Sequence, residues 1–159
     1  MKHLNSIKKT LKFKSDNNLD NLFKDLKSNY THVVCLHLRL GDYKSIKNKK
    51  VYADIPKNYY HDAIDKFEKN LKKPVFILFS DQIEFVDKTL INKDNIITAS
   101  SLNLGQENDF YLMSLCDAYI FSNSTFSLWA AYLSEKKQLI VTRPLKWFKN
   151  DIIQNANKY

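Results

Sequence analysis

Apolar positions along the chain fall into two alternating rhythms. In "SDNNLDNLFKDLKS" (15–28), Leu19, Leu22, Phe23 and Leu26 recur at i, i+3, i+4 and i+7. That spacing predicts an amphipathic helix, with Ser15 or Asp16 as its cap. The run Val33–Leu38 then reads as a buried strand. Beyond a lysine-rich loop, Pro56 opens a second helix whose stripe is Tyr60, Ala63, Ile64, Phe67 and Leu71. "PVFILFS" (74–80) is apolar on both faces, as strands covered by helices on each side are. "QIEFVDKTL" (82–90) reads as a short helix and "NIITA" (95–99) as a weaker third strand. A helix from Glu107 to Cys116 follows, then a strand "AYIFS" (118–122), a helix "TFSLWAAYLS" (125–134) and a fifth strand "QLIVT" (138–142) before Pro144. Trp129 and Tyr132 share the last helix with Ala130 and Ala131 and are expected in the core.

Strands alternating with helices at this spacing predict an α/β fold, an open, doubly wound, mostly parallel sheet of the Rossmann-like kind. The 159 residues suit one core, and no repeat or Pro/Gly-rich linker divides them. Residues 1–30 read as a basic N-terminal segment and helix, and residues 31–159 carry all the strands.

Composition narrows the function classes. Apolar residues make up 44% and charged residues 26%, ordinary for a globular protein, and no run approaches a membrane span. The first residues are basic but lack a continuous apolar stretch, so no secretory leader is expected. Cys35 and Cys116 both fall in apolar elements and are expected as buried free thiols, which points to a reducing, cytoplasmic setting. The formal net charge is +8, with seven lysines against three acids in the first 32 residues and four lysines in "YKSIKNKK" (43–50). An anionic partner fits that charge, and peripheral contact with a membrane is one form of it.

In a doubly wound sheet, ligands bind outside the carboxyl ends of the strands. Three predicted strands end there in polar residues: "HLRLGDY" (37–43), "SDQ" (80–82) and "SNSTFS" (122–127). Arg39 can grip a phosphate with two parallel hydrogen bonds, and Gly41 lets the backbone turn just after it. The alternative is a structural bridge from Arg39 to Asp42. Ser124 and Thr125 stand where a helix starts, an anion-binding place, though Ser and Thr there are also ordinary caps. Asp81 can accept from a base or ribose edge, or can cap the next helix. His37 can donate to a phosphate or ribose, or serve as a satisfied structural group. There is no G-x-G-x-x-G and no G-x-x-x-x-G-K-[ST], no pair of aspartates one residue apart to hold a nucleotide-bound metal, and His32 with His37 makes a poor metal pair. No nucleic-acid-binding motif is present, so a basic nucleic-acid-binding domain is the weakest reading.

With these residues in place, "HLRLGDY", "FILFSD" and "DFYLMSLCDAYIFSNSTFSLWAAYL" resemble, in order and spacing, the α-1,2-fucosyltransferases of glycosyltransferase family 11. The first matches the family's H-x-R-x-G-D-Y signature and the last its N-S-[ST]-[FY]-S-x-W-A-A stretch. The resemblance implies inverting transfer of L-fucose from GDP-fucose to the 2-hydroxyl of a terminal galactoside, without a bound metal, in a GT-B architecture of two Rossmann-like halves. Residues 31–159 would be the donor-nucleotide half. By motif, Arg39 would hold the diphosphate and stabilise the departing GDP, and His37 would help at the phosphate or ribose. Asp81 is similar to an acid that contacts guanine. Ser124 and Thr125 would meet the β-phosphate with Ser127 close by, and Asp42 would orient Arg39 or act as base.

Two features depart from the family. Leu40 stands where many members carry a second arginine. Only about 36 residues precede His37, where members have a further domain. The chain therefore resembles the donor-binding half alone, a truncated product or one piece of an enzyme whose separate N-terminal half contacts the acceptor. A catalytically incompetent GDP-sugar-binding module is the alternative.

Overall fold

The computed structural model of the chain describes residues 10, 16–41, 50–56, 58–102 and 104–150. Helix α1 (Asn17–Asn29) is capped by Asp16, whose carboxylate accepts from the N–H groups of Asn18 and Leu19 at 2.8 and 3.3 Å; Ser15, the other candidate cap, lies outside the described residues. Strand β1 (His32–Leu38) leads to α2 (Tyr59–Asn70), then β2 (Pro74–Ser80). The α2 stripe packs as its spacing predicts, with Tyr60, Ala63, Ile64 and Phe67 buried, but the helix starts three residues after Pro56, whose carbonyl accepts from the Tyr59 N–H.

The stretch 82–90 is not the continuous helix its pattern predicts. It divides into a 3-10 turn (Ile83–Phe85) and a four-residue helix α3 (Lys88–Ile91). Asp87 forces the break: its carboxylate accepts from the Thr89 N–H and hydroxyl, restarting the helix there. Strand β3 (Ile96–Thr98) follows, then a 3-10 turn (Ala99–Leu102), α4 (Gln106–Leu115), β4 (Ala118–Ile120), α5 (Thr125–Leu133) and β5 (Ile140–Thr142).

All five strands are parallel, in the order β3-β2-β1-β4-β5. Alternation along β1 assigns its side chains to two cores. Val33 and Cys35 pack with Leu26, Leu112, Met113, Ala130 and Ala131 from α1, α4 and α5. Val34, Leu36 and Leu38 pack with Tyr60, Ile64, Phe67 and Leu90 from α2 and α3. Both cysteines are free and buried, and burial pushes the Cys35 thiol well up. Trp129 and Tyr132 are not core: they are 38% and 44% exposed. The face of α5 that meets the sheet presents Ser127, Ala130 and Ala131, small residues that let helix and sheet approach closely, and the large rings point away. On the edge strand, Ile140 and Val141 are likewise exposed.

Candidate functional site

The strand order reverses at β1, which has β2 on one side and β4 on the other. That switch point is where a doubly wound sheet opens a crevice at its carboxyl edge. Register brings three residues there to one level. Leu38 stands opposite Ser80, so Arg39 and Asp81 are each the next position outward, and with Leu36 opposite Ile120, Asn123 and Arg39 each lie three positions further on.

Arg39 pairs with Asp81, Nε to Oδ2 at 3.3 Å, with both side chains partly exposed. Asp81 Oδ1 accepts from the Leu40 N–H at 2.8 Å, and Oδ2 from the Gly41 N–H at 3.0 Å. Asp81 thus braces the turn that carries Arg39 instead of capping the helix after it. Gly41 is needed for a reason other than backbone rotation, since its φ is not positive. A Cβ there would lie 2.6 Å from Asp81 Oδ2. Asp42, the alternative partner for Arg39, lies outside the described residues.

Across the crevice, α5 begins at its cap Ser124, whose hydroxyl accepts from the Phe126 N–H at 3.3 Å. Ser124 is buried and Thr125 exposed. Both line a cavity of about 260 Å³ together with Arg39, Tyr52, Phe126, Trp147 and Phe148. A guanidinium and a helix N-terminus facing one cavity from opposite sides of the switch point form a site for a dianionic group, with aromatic rings beside it for a planar one.

His37 and Ser127 line neither this cavity nor the larger one beyond Arg39. His37 is 4% exposed, with Nδ1 2.9 Å from the Ser127 hydroxyl and 3.3 Å from that of Ser122. Burial, and next the Arg39 charge, lower its pKa to about 4, so the ring is neutral at pH 7. It forms a polar layer directly beneath Arg39 that ties β1 to α5.

Three further groups at this edge were not singled out from the sequence, although Asn123 and Asp109 stand inside the quoted 109–133 stretch. Asn123 is buried, and its Nδ2 donates to the carbonyls of Ala53 and Trp147 at 2.9 and 3.2 Å. It pins the segments around Tyr52 and Phe148, whose rings stack at 5.6 Å, into a strap over the crevice. In the first turn of α4, Asp109 has a buried Oδ1 without a hydrogen-bond partner, and burial pushes its carboxyl up to about 6. Its neighbour Phe110 packs on Phe126 at 4.9 Å, placing this unmatched acceptor near the α5 terminus. His61 and Asp87 pair at 3.4 Å on the α2 side of Arg39. Among the described residues, no group of three or more His, Cys, Asp or Glu could hold a metal ion, and no helix is long and apolar enough to cross a membrane.

The family model "Glycosyl transferase family 11" matches residues 2–158. The O-antigen biosynthesis glycosyltransferase WbnK of Escherichia coli is 34% identical over 145 residues, covering 86% of this chain and 48% of WbnK. An alpha-1,2-colitosyltransferase of Escherichia coli is 32% identical over 125 residues, 76% of this chain and 43% of that one. The mouse galactoside 2-alpha-L-fucosyltransferase Sec1 is 30% identical over 106 residues, 64% of this chain and 28% of that one. This chain spans about half the length, or less, of these curated relatives. Among solved structures, POFUT1 in complex with GDP-fucose shares the fold with a TM-score of 0.51 at 12% identity, covering 83% of this chain and 47% of that one. The chain belongs to glycosyl transferase family 11.

Proposed function

We propose that the chain is the donor-nucleotide half of an α-1,2-fucosyltransferase of GT-B architecture, binding GDP-fucose for inverting transfer to the 2-hydroxyl of a terminal galactoside. The observation that carries this reading is the joint placement of Arg39 and the α5 N-terminus on one 260 Å³ cavity at the switch point. In the reaction the acceptor oxygen attacks the fucosyl C1 as the bond from C1 to the β-phosphate oxygen breaks. Negative charge grows on the departing diphosphate, where the guanidinium and the helix N–H groups stabilise it. Asp81 sets the guanidinium in place beforehand and so acts as a positioning residue. Neutral His37, held by Ser127, supports Arg39 from below without a competing charge. Asp42 is the candidate for receiving the acceptor's proton.

This reading requires no metal, since charge on the leaving group is met by the chain's own groups. Relatives named for fucosyl and for colitosyl transfer make the donor sugar a matter for competition between fucosyl and colitosyl donors. The deciding experiment is calorimetric titration of the chain with GDP, GDP-fucose and ADP in the presence of EDTA. Guanine nucleotides binding while ADP does not is the expected result. A cooperatively melting chain that binds none of them overturns the proposal. Transfer to a galactoside is assayed separately, because the chain spans 48% of WbnK and donor binding does not by itself establish turnover.

A further inference from the structure

The strap over the crevice is built from two antiparallel segments. Tyr52 is bridged to Phe148, the Lys149 N–H donates to the Val51 carbonyl, and the Ala53 N–H donates to that of Trp147. Strand β5 leads into it through Leu145, which is 96% exposed, the highest value of any large apolar side chain among the described residues. Val51, on the other segment, is 39% exposed. An exposed leucine alone is ordinary. Its surroundings set this one apart. Residues 136–150 hold four lysines and one arginine, and no acid occurs between Glu135 and Asp151. Asp117 offsets Lys136 and Asp54 offsets Lys149, each at 3.0 Å. Arg143 and Lys146, both exposed, flank Leu145 two positions before and one after, and Lys50 is exposed beside Val51. Phe85 also projects into water, but with Glu84 and Asp87 next to it in the chain.

We propose that this strap docks the chain on an anionic lipid bilayer, with Leu145 entering the headgroup boundary and Arg143 and Lys146 meeting lipid phosphates. A leucine there gains the apolar burial that the fold does not give it, and long basic side chains keep their charged ends among the headgroups. The net charge of +8 draws the chain to a negative surface, and the leucine selects which side lands. A protein partner suits the composition less well, since lysine is depleted at protein interfaces. A nucleic acid suits it less again, because its phosphates offer a protruding leucine nothing to pack on. Tyr52, Trp147 and Phe148 of the same strap line the 260 Å³ cavity, so docking would set the mouth of that cavity at the bilayer surface.

The docking reading is independent of the donor site, and vesicle binding tests it without nucleotide. The chain is titrated in a flotation assay with vesicles of phosphatidylglycerol and phosphatidylcholine in equal parts, and with pure phosphatidylcholine. Leu145→Ser, the double variant Arg143→Gln/Lys146→Gln, and Phe85→Ser are measured alongside. The expected result is binding to the anionic vesicles that Leu145→Ser weakens about fivefold or more. Each cation removed costs about fivefold, so the double variant loses more than about tenfold, while Phe85→Ser stays close to wild type. All four altered side chains are exposed, so the variants keep their fold, and melting temperatures verify this. A folded chain that ignores anionic vesicles overturns the proposal. Binding that weakens with salt but is indifferent to Leu145→Ser also overturns it, by marking a purely ionic contact elsewhere on the basic surface. Equal loss in Phe85→Ser, or equal binding to pure phosphatidylcholine, overturns it as well, because neither the place nor the charge of the strap then matters.

Discussion

Whether Asp81 acts through Arg39 or touches the nucleotide itself is decided by a double-mutant cycle. Arg39→Ala removes a guanidinium proposed to donate charge-assisted hydrogen bonds to the diphosphate, a loss of ~1.5–3 kcal/mol, or roughly 10- to 150-fold in GDP affinity. Asp81→Ala leaves the guanidinium in the protein but frees it from the 3.3 Å contact and unbraces the Leu40 and Gly41 N–H groups. An arginine side chain carries about 2 kcal/mol of rotamer entropy, part of which ligand binding must then remove. Against that, deleting a negative charge relieves repulsion with the incoming diphosphate, worth less than about 1 kcal/mol for a partly exposed, solvent-screened group. The net expectation is a loss of ~1 kcal/mol, about fivefold. In the Arg39→Ala background there is nothing left to position, so Asp81→Ala should cost nothing or slightly strengthen binding. Titration of wild type, both single variants and the double variant with GDP and ADP reads the coupling directly. Additive losses, with the preference for GDP over ADP abolished by Asp81→Ala, would refute the positioning role and install Asp81 as the guanine contact that the family resemblance implies.

Other substitutions follow from the same contacts. Gly41→Ala puts a methyl 2.6 Å from Asp81 Oδ2 and should weaken GDP as much as Asp81→Ala, with no further loss when the two are combined. Asn123→Ala strips the partly buried Ala53 carbonyl of its side-chain donor, at a cost of about 0.5–1.5 kcal/mol by denaturant titration, and loosens the strap. His37 has its pKa lowered from 6.5 to about 4; the unfolded chain then binds the extra proton, so stability is lost as pH falls from 6.5 toward 4, on the order of 3 kcal/mol in all. His37→Asn should flatten that part of the melting profile. Asp109, raised from 3.8 to about 6, works in the opposite sense: stability falls as pH rises through that window, and Asp109→Asn should raise the melting temperature at pH 7 but not at pH 3.5.

Much of the fold was written in local periodicity. "PVFILFS" is strand β2 from end to end, because a strand buried on both faces needs apolar residues at every position. Likewise Arg39, Asp81 and Ser124 were found as polar residues closing apolar runs. Periodicity fails where one side chain overrides it, as Asp87 does by restarting a helix inside 82–90. It fails again at α5, where close packing against the sheet selects Ser127, Ala130 and Ala131 and leaves Trp129 and Tyr132 outside. Hydrophobicity alone assigns those rings to the wrong face. Asn123 and Asp109 stand in the quoted 109–133 stretch, but their roles are not legible there, since they depend on carbonyls and burial contributed by distant segments.

The strand order is the feature that turns these residues into a site. Sequence places Arg39 and Asp81 some forty positions apart and Arg39 and Ser124 more than eighty apart, with no local clue to who neighbours whom. Only with β1 between β2 and β4 does Arg39 have its carboxylate brace on one side and a helix N-terminus on the other. An order that separated β1 from β4 would leave the guanidinium and the helix end on separate stretches of the edge, each a weak anion site. The burial that keeps His37 neutral belongs to the same arrangement, because β1 at the centre of the sheet is covered by α5. A protonated imidazole there would be both buried and next to Arg39, and burial first, then the Arg39 charge, keeps the ring neutral. The central strand thus carries one cation at its mouth, held by a carboxylate in the plane of the sheet and a neutral ring beneath. In the proposed donor reading, the guanidinium would be oriented before a diphosphate arrives, and charge developing on the leaving group would meet a donor that need not reorganise.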